Sequence, residues 1–125
     1  MNAQPPSIVP LTQPPHKKRH DRRRPGEKVA FHRSELALIM GLYGRMVAAG
    51  EWRDYGLSFL REVAVFSAFR RASERPLYRI EKRPALRLRQ GQYALIGMDG
   101  RVLKRGSDLR AVLRVLERKL IRAVE

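Results

Sequence analysis

Four arginines near the C-terminus, Arg110, Arg114, Arg118 and Arg122, recur at intervals of four residues. A guanidinium group is always charged and binds phosphate or carboxylate oxygens in pairs, so this spacing gives one side of a helix the chemistry to hold a polyanion. Like charges at this spacing also destabilise an isolated helix by a few tenths of a kcal/mol per pair. Only Glu117 interrupts the positive side. The alternatives are a polyanion-binding surface and an Arg-rich solvated face without a ligand.

A second group of cations occupies residues 16–24. Its charged members include Lys17, Lys18, Arg22, Arg23 and Arg24. Such a cluster can neutralise phosphates without folding first, and the alternative is a solvated tail that aids solubility. His16 and His20 are four residues apart, a spacing that suits a metal ion on a helix. The surrounding prolines disfavour a helix here, so we predict no metal site.

The residues that could support catalysis are few. The chain has no cysteine, which excludes disulfides, thiolate metal sites and cysteine nucleophiles. His32 stands at the start of a predicted helix, where a capping role is more typical than a general base. The carboxylates show no paired spacing, and most have a basic neighbour, which favours salt bridges. We therefore predict no enzyme, metal or cofactor; a deep polar pocket holding His32 and two carboxylates would favour an enzyme.

The composition is strongly basic, with 27 Lys and Arg against 12 Asp and Glu in 125 residues and a formal net charge of +15. That balance favours acidic partners: nucleic acid (DNA or RNA) first, then an anionic membrane or an acidic protein. No apolar run is long enough to span a bilayer, and the N-terminus lacks the pattern of a secretory signal. We expect a cytoplasmic protein without a membrane partner.

The chain divides into two predicted parts. Residues 1–27 form a Pro-rich basic arm that we expect to be disordered, because their few apolar side chains cannot offset the entropy of ordering. Residues 28–125 form a single α+β domain. It consists of a helix, an antiparallel meander sheet of four to five strands, and a closing C-terminal helix on the same sheet face.

The first predicted helix covers residues 35–49, with Ser34 as N-cap and Gly50 as its stop. Small residues form a stripe along one side of it, namely Ala37, Gly41, Gly44 and Ala48. A glycine inside a helix costs about 0.5–1 kcal/mol relative to alanine, so the stripe indicates close approach by another element. We favour the C-terminal helix as that element; the alternative is a second copy of the chain in a homodimer.

Runs of extended, largely apolar sequence predict strands over residues 52–60, 62–70, 77–83, 93–98 and 101–105. Apolar residues alternate in 52–60, whereas those of 62–70 fall on both parities, which fits a central strand covered on both faces or one half covered at an interface. Asp99-Gly100 is typical of a two-residue type I′ hairpin turn. A break at Arg61-Glu62 would also make a tight hairpin, although no Gly or Asn marks it. The alternation over residues 86–89 favours another short extended piece. The sheet face away from the helices would then carry a second basic patch of Arg83, Arg87 and Arg89.

The final helix follows Gly106, with Ser107 predicted as its cap and Asp108 in its first turn. Its apolar side consists of Leu109, Val112, Leu113, Leu116 and Leu120. This side should face the core, which leaves the arginines outside.

Several runs of the chain are unusual in sequence, namely residues 50–55 (GEWRDY), 64–67 (AVFS), 69–73 (FRRAS), 77–84 (LYRIEKRP) and 104–106 (KRG), with the last helix. Through these runs, from residue 31 to about residue 120, the chain resembles a small family of alphaproteobacterial proteins classed only as a domain of unknown function. The resemblance implies a bacterial cytoplasmic protein and carries no activity, ligand or functional residue. The arm before Lys28 lies outside it.

The sequence is compatible with two functions. The leading hypothesis is a non-catalytic nucleic-acid-binding protein that contacts phosphates through Arg110, Arg114 and Arg118, the second basic patch and the basic arm. The alternative is an adaptor that docks on an acidic protein, which a basic surface serves equally well.

Overall fold

The computed structural model describes residues 26–71 and 74–124. The elements in chain order are helix α1 (Arg33–Ala48), strands β1 (Asp54–Phe59), β2 (Ala64–Phe69) and β3 (Tyr78–Lys82), a 3-10 turn (Pro84–Leu86), strands β4 (Tyr93–Gly97) and β5 (Val102–Gly106), and helix α2 (Leu109–Val124). Each strand pairs antiparallel with the next, in the order β1-β2-β3-β4-β5. This confirms the predicted α+β meander. Apart from Gly26 and Glu27, the predicted arm lies outside the described residues.

The core lies between the two helices and one face of the sheet. Phe66, Ile80 and Leu95 are paired across the three central strands, and all are fully buried. The helices cover them with Ile39, Leu42 and Met46 of α1 and with Leu109, Val112, Leu113 and Leu116 of α2. The predicted core side of the last helix is thus confirmed, since apolar residues at intervals of three and four share one helix face.

Helix α1 begins at Arg33, and His32 rather than Ser34 is its N-cap. The ring atom Nδ1 of His32 accepts a hydrogen bond from the Ser34 N–H at 3.1 Å, and Glu35 Oε1 accepts one from the His32 N–H at 2.6 Å. This reciprocal pair satisfies two amide groups that the helix leaves unbonded. At the other end Gly50 adopts φ +77°, which confirms it as the helix stop.

The β1–β2 hairpin turns at Arg61-Glu62, as predicted, and the Leu60 N–H donates to the Val63 carbonyl at 2.9 Å.

The last helix begins after Asp108, whose Oδ1 accepts from the Arg110 N–H at 3.0 Å. Asp108 therefore does the capping that we predicted for Ser107.

The β4–β5 hairpin is confirmed, but its turn has three residues. The Gly97 N–H donates to the Arg101 carbonyl at 2.8 Å, and the Gly100 N–H donates to the Gly97 carbonyl at 3.0 Å. Gly100 has φ +87°. This is the pattern of a type I turn completed by a left-handed residue, so the prediction of a two-residue type I′ turn is wrong.

The connection between β3 and β4 is not extended. After Pro84–Leu86 the chain keeps turning, and the Gly91 N–H donates to the Leu86 carbonyl at 2.9 Å. Proline cannot donate to a strand ladder, which explains why pairing stops there. The predicted extended piece over residues 86–89 is wrong, and Arg87 and Arg89 lie in this connection rather than on the sheet.

The small-residue stripe of α1 is exposed at Ala37, Gly41, Gly44 and Ala48. A Cβ atom added at Gly41 or Gly44 would meet no other atom within 4 Å. The close approach by the C-terminal helix that we predicted for this stripe is therefore wrong at Gly41 and Gly44; Ala37 and Gly41 instead line a groove whose other side includes Leu113 and Arg114 of α2. The homodimer through this stripe remains a prediction.

Candidate functional site

The predicted arginine ridge (Arg110, Arg114 and Arg118) lies on the solvent side of α2, and all three residues are exposed. The helix presents them there because its other side is buried in the core. Within residues 26–71 and 74–124, none of the three is joined to a carboxylate by a salt bridge. Their charges are therefore available to an external anion.

A groove of about 320 Å³ separates this ridge from α1. Arg110 and Arg114 form one wall, Arg45 forms part of the other, and Gly41 leaves space between them. Arg45 Nη2 lies 2.7 Å from Glu117 Oε2. The groove therefore presents three guanidinium groups and one carboxylate, and that carboxylate already has a partner.

Sequence reasoning missed Arg45. Nothing in its own helix links it to residues near the other end of the chain, and only the packing of α1 beside α2 brings it to the ridge. The sequence feature that could have identified Arg45 is its position in the last turn of α1, next to small residues whose side chains are too short to cover its guanidinium group.

The predicted second basic patch is divided in the structure. Arg83 Nε lies 3.3 Å from Glu81 Oε1, and Arg79 Nε lies 3.8 Å from Glu81 Oε2. Alternation along β3 places Glu81 on the sheet face away from the helices, because its neighbour Ile80 is in the core. Arg83 is therefore partly neutralised and lies across the sheet from the ridge.

Arg87 and Arg89 are both exposed in the β3–β4 connection. In the described part of the chain neither has a salt-bridge partner. Arg87 lines a pocket that also contains Asp108 and Leu109, so it lies near the start of α2. The predicted arm residues Lys17, Lys18, Arg22, Arg23 and Arg24 lie outside the described residues.

A second cavity, of about 520 Å³, opens where both helices begin. It is lined by His32, Glu35 and Asp108, together with Lys82 and Tyr93. Glu35 accepts hydrogen bonds from Lys82 Nζ at 2.8 Å and from the Tyr93 hydroxyl. Burial raises the pKa of Glu35, but these bonds and that from the His32 N–H outweigh it and lower the pKa below the usual 4.5.

This cavity holds the histidine and two carboxylates that would favour an enzyme, but each group already has a structural partner. His32 and Asp108 cap helices, and Glu35 is bonded to three donors. Burial, together with the charge of Glu35, raises the pKa of Tyr93 far above its ordinary value, which makes this hydroxyl a poor source of a proton. Among the described residues, no three His, Asp or Glu side chains are grouped to hold a metal ion.

In the part of the chain that the structure describes, neither helix has the length and apolar character needed to cross a bilayer.

Comparison with curated proteins finds no match. Comparison with solved structures finds none either. A family model described as "Protein of unknown function (DUF2794)" matches residues 29–113, from the lead-in to α1 through the first turns of α2. The match covers more than half of the chain, and the chain belongs to this family.

Proposed function

We propose that this chain is a cytoplasmic, non-catalytic nucleic-acid-binding protein that contacts phosphates through the arginine ridge and the adjoining groove. The observation that supports this most directly is the exposure of Arg110, Arg114 and Arg118 without a carboxylate partner in the described part of the chain. A helix that needed only solubility would gain stability from alternating charges, which this one lacks.

The spacing of the ridge suits a phosphate backbone. Four residues of helix advance by about 6 Å, roughly the axial rise of two nucleotides along a duplex strand. Arg45 faces the ridge across the groove, so a phosphate seated there would meet guanidinium groups from two helices. Contacts of this kind set affinity and position without reading sequence.

The other predicted cations take secondary places in this proposal. Arg87 extends the positive surface past the start of α2, and Arg89 is exposed in the same connection, whereas Arg83 contributes less because Glu81 partly neutralises it. The basic arm would add phosphate contacts of its own. Neither set is required for the ridge to bind.

The test is fluorescence anisotropy of labelled duplex and single-stranded oligonucleotides over a range of salt concentrations. The ridge variant replaces Arg110, Arg114 and Arg118 with Gln. The matched control makes the same replacement at three exposed arginines away from the groove that, like the ridge, have no salt bridge within the described residues, Arg53, Arg71 and Arg75. We expect the ridge variant to bind more weakly and to reduce the slope of log K against log salt by about 0.7–0.9 for each lost phosphate contact.

Two results would overturn the proposal. One is no binding to either oligonucleotide at low salt. The other is an equal loss of affinity in the ridge and control variants, which would show that binding depends on net charge alone.

An acidic protein would recognise the same surface. Protein partners that persist in capture experiments after nuclease treatment of the lysate would favour the adaptor instead.

A further inference from the structure

Strand β1 forms one edge of the sheet and carries an exposed apolar strip. Tyr55 is 46% exposed, and Leu57 and Phe59 are each 39% exposed. They are paired with Ala68, Phe66 and Ala64 of β2, so they project on the helix-covered face, where Tyr55 contacts Tyr43 of α1 with ring centroids 5.0 Å apart and all three side chains stay partly exposed. No charged residue lies between Tyr55 and Leu60. Natural edge strands usually carry charge or proline that prevents pairing with another chain.

The opposite edge strand is protected in this way. Strand β5 contains Lys104 and Arg105, its register with β4 shifts between Leu95 and Ile96, and it packs beside α2. Charge, irregular pairing and a neighbouring helix all oppose the addition of a strand. The two edges therefore differ, and β1 is the one suited to pairing.

The hairpin bonds show which backbone groups of β1 are free. The Leu60 N–H donates to Val63, so the alternation of an antiparallel pair turns the N–H and C=O groups of Tyr55, Leu57 and Phe59 away from β2. The Arg53 N–H is bonded to the Phe69 carbonyl. Among the described residues, the run of unpaired backbone groups thus begins at Tyr55, ends at Phe59 and is centred on Leu57, and it stops just before Leu60, whose carbonyl accepts from the Val29 N–H at 2.7 Å.

We propose that two copies of this chain associate through their β1 strands, paired antiparallel with Leu57 on the twofold axis. In this register Leu57 faces its own copy and Tyr55 faces Phe59 of the second copy. The three facing pairs supply about six backbone hydrogen bonds, two for each pair. A shift by one residue would set unpaired groups opposite groups already bonded to β2, and a shift by two would leave two facing pairs, so three pairs form only in this register.

The second copy is the occupant that this surface fits, because the strip is complementary to itself. Aromatic residues meet across the axis at both ends, a favourable cross-strand arrangement. A twofold axis normal to the sheet would keep all four helices on one face of a ten-stranded sheet. Both arginine ridges would then lie on that face, although the dimer depends on β1 alone and stands independently of nucleic-acid binding.

The interface is small. The exposed fractions of these side chains amount to a few hundred Å² per copy, against about 800 Å² for a standard stable interface. Backbone hydrogen bonds add to it, but the dimer should be weak and dependent on concentration.

Analytical ultracentrifugation of the full chain over a concentration series tests the proposal. We expect wild type to shift from the mass of one chain to that of two. Leu57→Lys should stay monomeric at concentrations where wild type dimerises, because two ammonium groups would face each other on the axis. Val102→Lys makes the same charge change at a residue of β5 that is 50% exposed, and it should dimerise like wild type.

Three outcomes would overturn the proposal: a monomeric wild type at every concentration, equal effects of the two lysine variants, or a dimer disrupted by Gly44→Lys on the small-residue stripe but not by Leu57→Lys. Circular dichroism of each variant checks that it has folded.

Cysteine cross-linking tests the register without a charge change. The chain contains no cysteine, so each introduced thiol can pair only with its copy. Under oxidation Leu57→Cys should form a covalent dimer, since directly paired residues lie about 5.5 Å apart at Cα. Tyr55→Cys should not, because the two thiols would be four residues apart along the strand, about 13 Å. Equal cross-linking of both variants, or no cross-linking of Leu57→Cys, would contradict the register.

Discussion

Glu35 and Lys82 form an ion pair between α1 and β3, with Glu35 Oε1 2.8 Å from Lys82 Nζ and side chains only 12% and 15% exposed. The Tyr93 hydroxyl of β4 donates to the same carboxylate, and Lys82 Nζ also donates to the Ala30 carbonyl at 3.0 Å. One carboxylate therefore joins the start of α1 to two central strands and, through Lys82, to the segment before the helix.

Replacing Glu35 with Gln should reduce the free energy of unfolding by about 2–3 kcal/mol, because the Lys82 ammonium group would lose the carboxylate that balances it in a mostly buried place. Urea denaturation followed by circular dichroism measures this. Glu62→Gln is the control; Glu62 is exposed in the β1–β2 turn, and a change within about 0.5 kcal/mol is expected there. An equally small effect at Glu35 would show that the pair does not stabilise the fold.

The contribution of Glu35 should also depend on pH. The hydrogen bonds to its carboxylate lower its pKa below 4.5 in the folded state despite the opposing effect of burial. A carboxyl group with a lowered folded pKa stabilises the protein fully above its unfolded pKa, and this stability is lost as pH falls through the folded pKa. The difference in unfolding free energy between wild type and Glu35→Gln should therefore be largest at neutral pH and shrink below pH 4.5.

Urea denaturation at a series of pH values checks this dependence. The difference between wild type and Glu62→Gln should change much less over the same range. A gap for Glu35→Gln that stays constant, or widens, on acidification would contradict the lowered pKa.

Gly91 should be far less tolerant of alanine than Gly100. Both have positive φ, +96° and +87°, but a Cβ at Gly91 would collide with the Gly106 carbonyl group, 2.6 Å from its oxygen, whereas one at Gly100 would meet no atom within 4 Å. Gly100→Ala should cost about 1–2 kcal/mol of backbone strain. Gly91→Ala should cost more, since the β3–β4 connection must also move away from β5. If the two variants have equal midpoint temperatures in thermal unfolding, the close approach of Gly91 to Gly106 is relieved at little cost, which would contradict this prediction.

Replacing Glu117 with Gln should strengthen nucleic-acid binding. Its partner Arg45 would then be free to contact phosphate, and the groove would gain one net positive charge. Both side chains are substantially exposed, 55% for Arg45 and 40% for Glu117, so fold stability should change little. We expect affinity to rise several-fold at low salt and the gain to shrink as salt screens the charges. Anisotropy measures this, with Glu62→Gln as control; equal or weaker binding by Glu117→Gln would argue against phosphate in the groove.

The parts of the fold that follow from local pattern were predictable. The alternation of Leu57 and Phe59, the helical spacing of Leu113 and Leu116, and the stop at Gly50 each depend on neighbours a few residues away. The N-cap of α1 does not follow from local pattern, because the side chains of His32 and Ser34 can both accept a hydrogen bond from a free amide. The position of Glu35, which accepts from the His32 N–H, decides between them. Residues 86–89 were misassigned because their alternation of Leu and Arg resembles a strand, while Pro84 and the tight packing of Gly91 impose a turn.

The sequence by itself determined the apolar side of each helix, the strand order of a simple meander and the strongly positive charge, since these depend on residue type and short-range periodicity. Only the tertiary structure decided that Arg45 meets Glu117, that Arg83 is partly neutralised by Glu81, and that β1 presents a free apolar edge. Those relationships depend on how elements distant in the chain pack together, and short-range spacing carries no information about that.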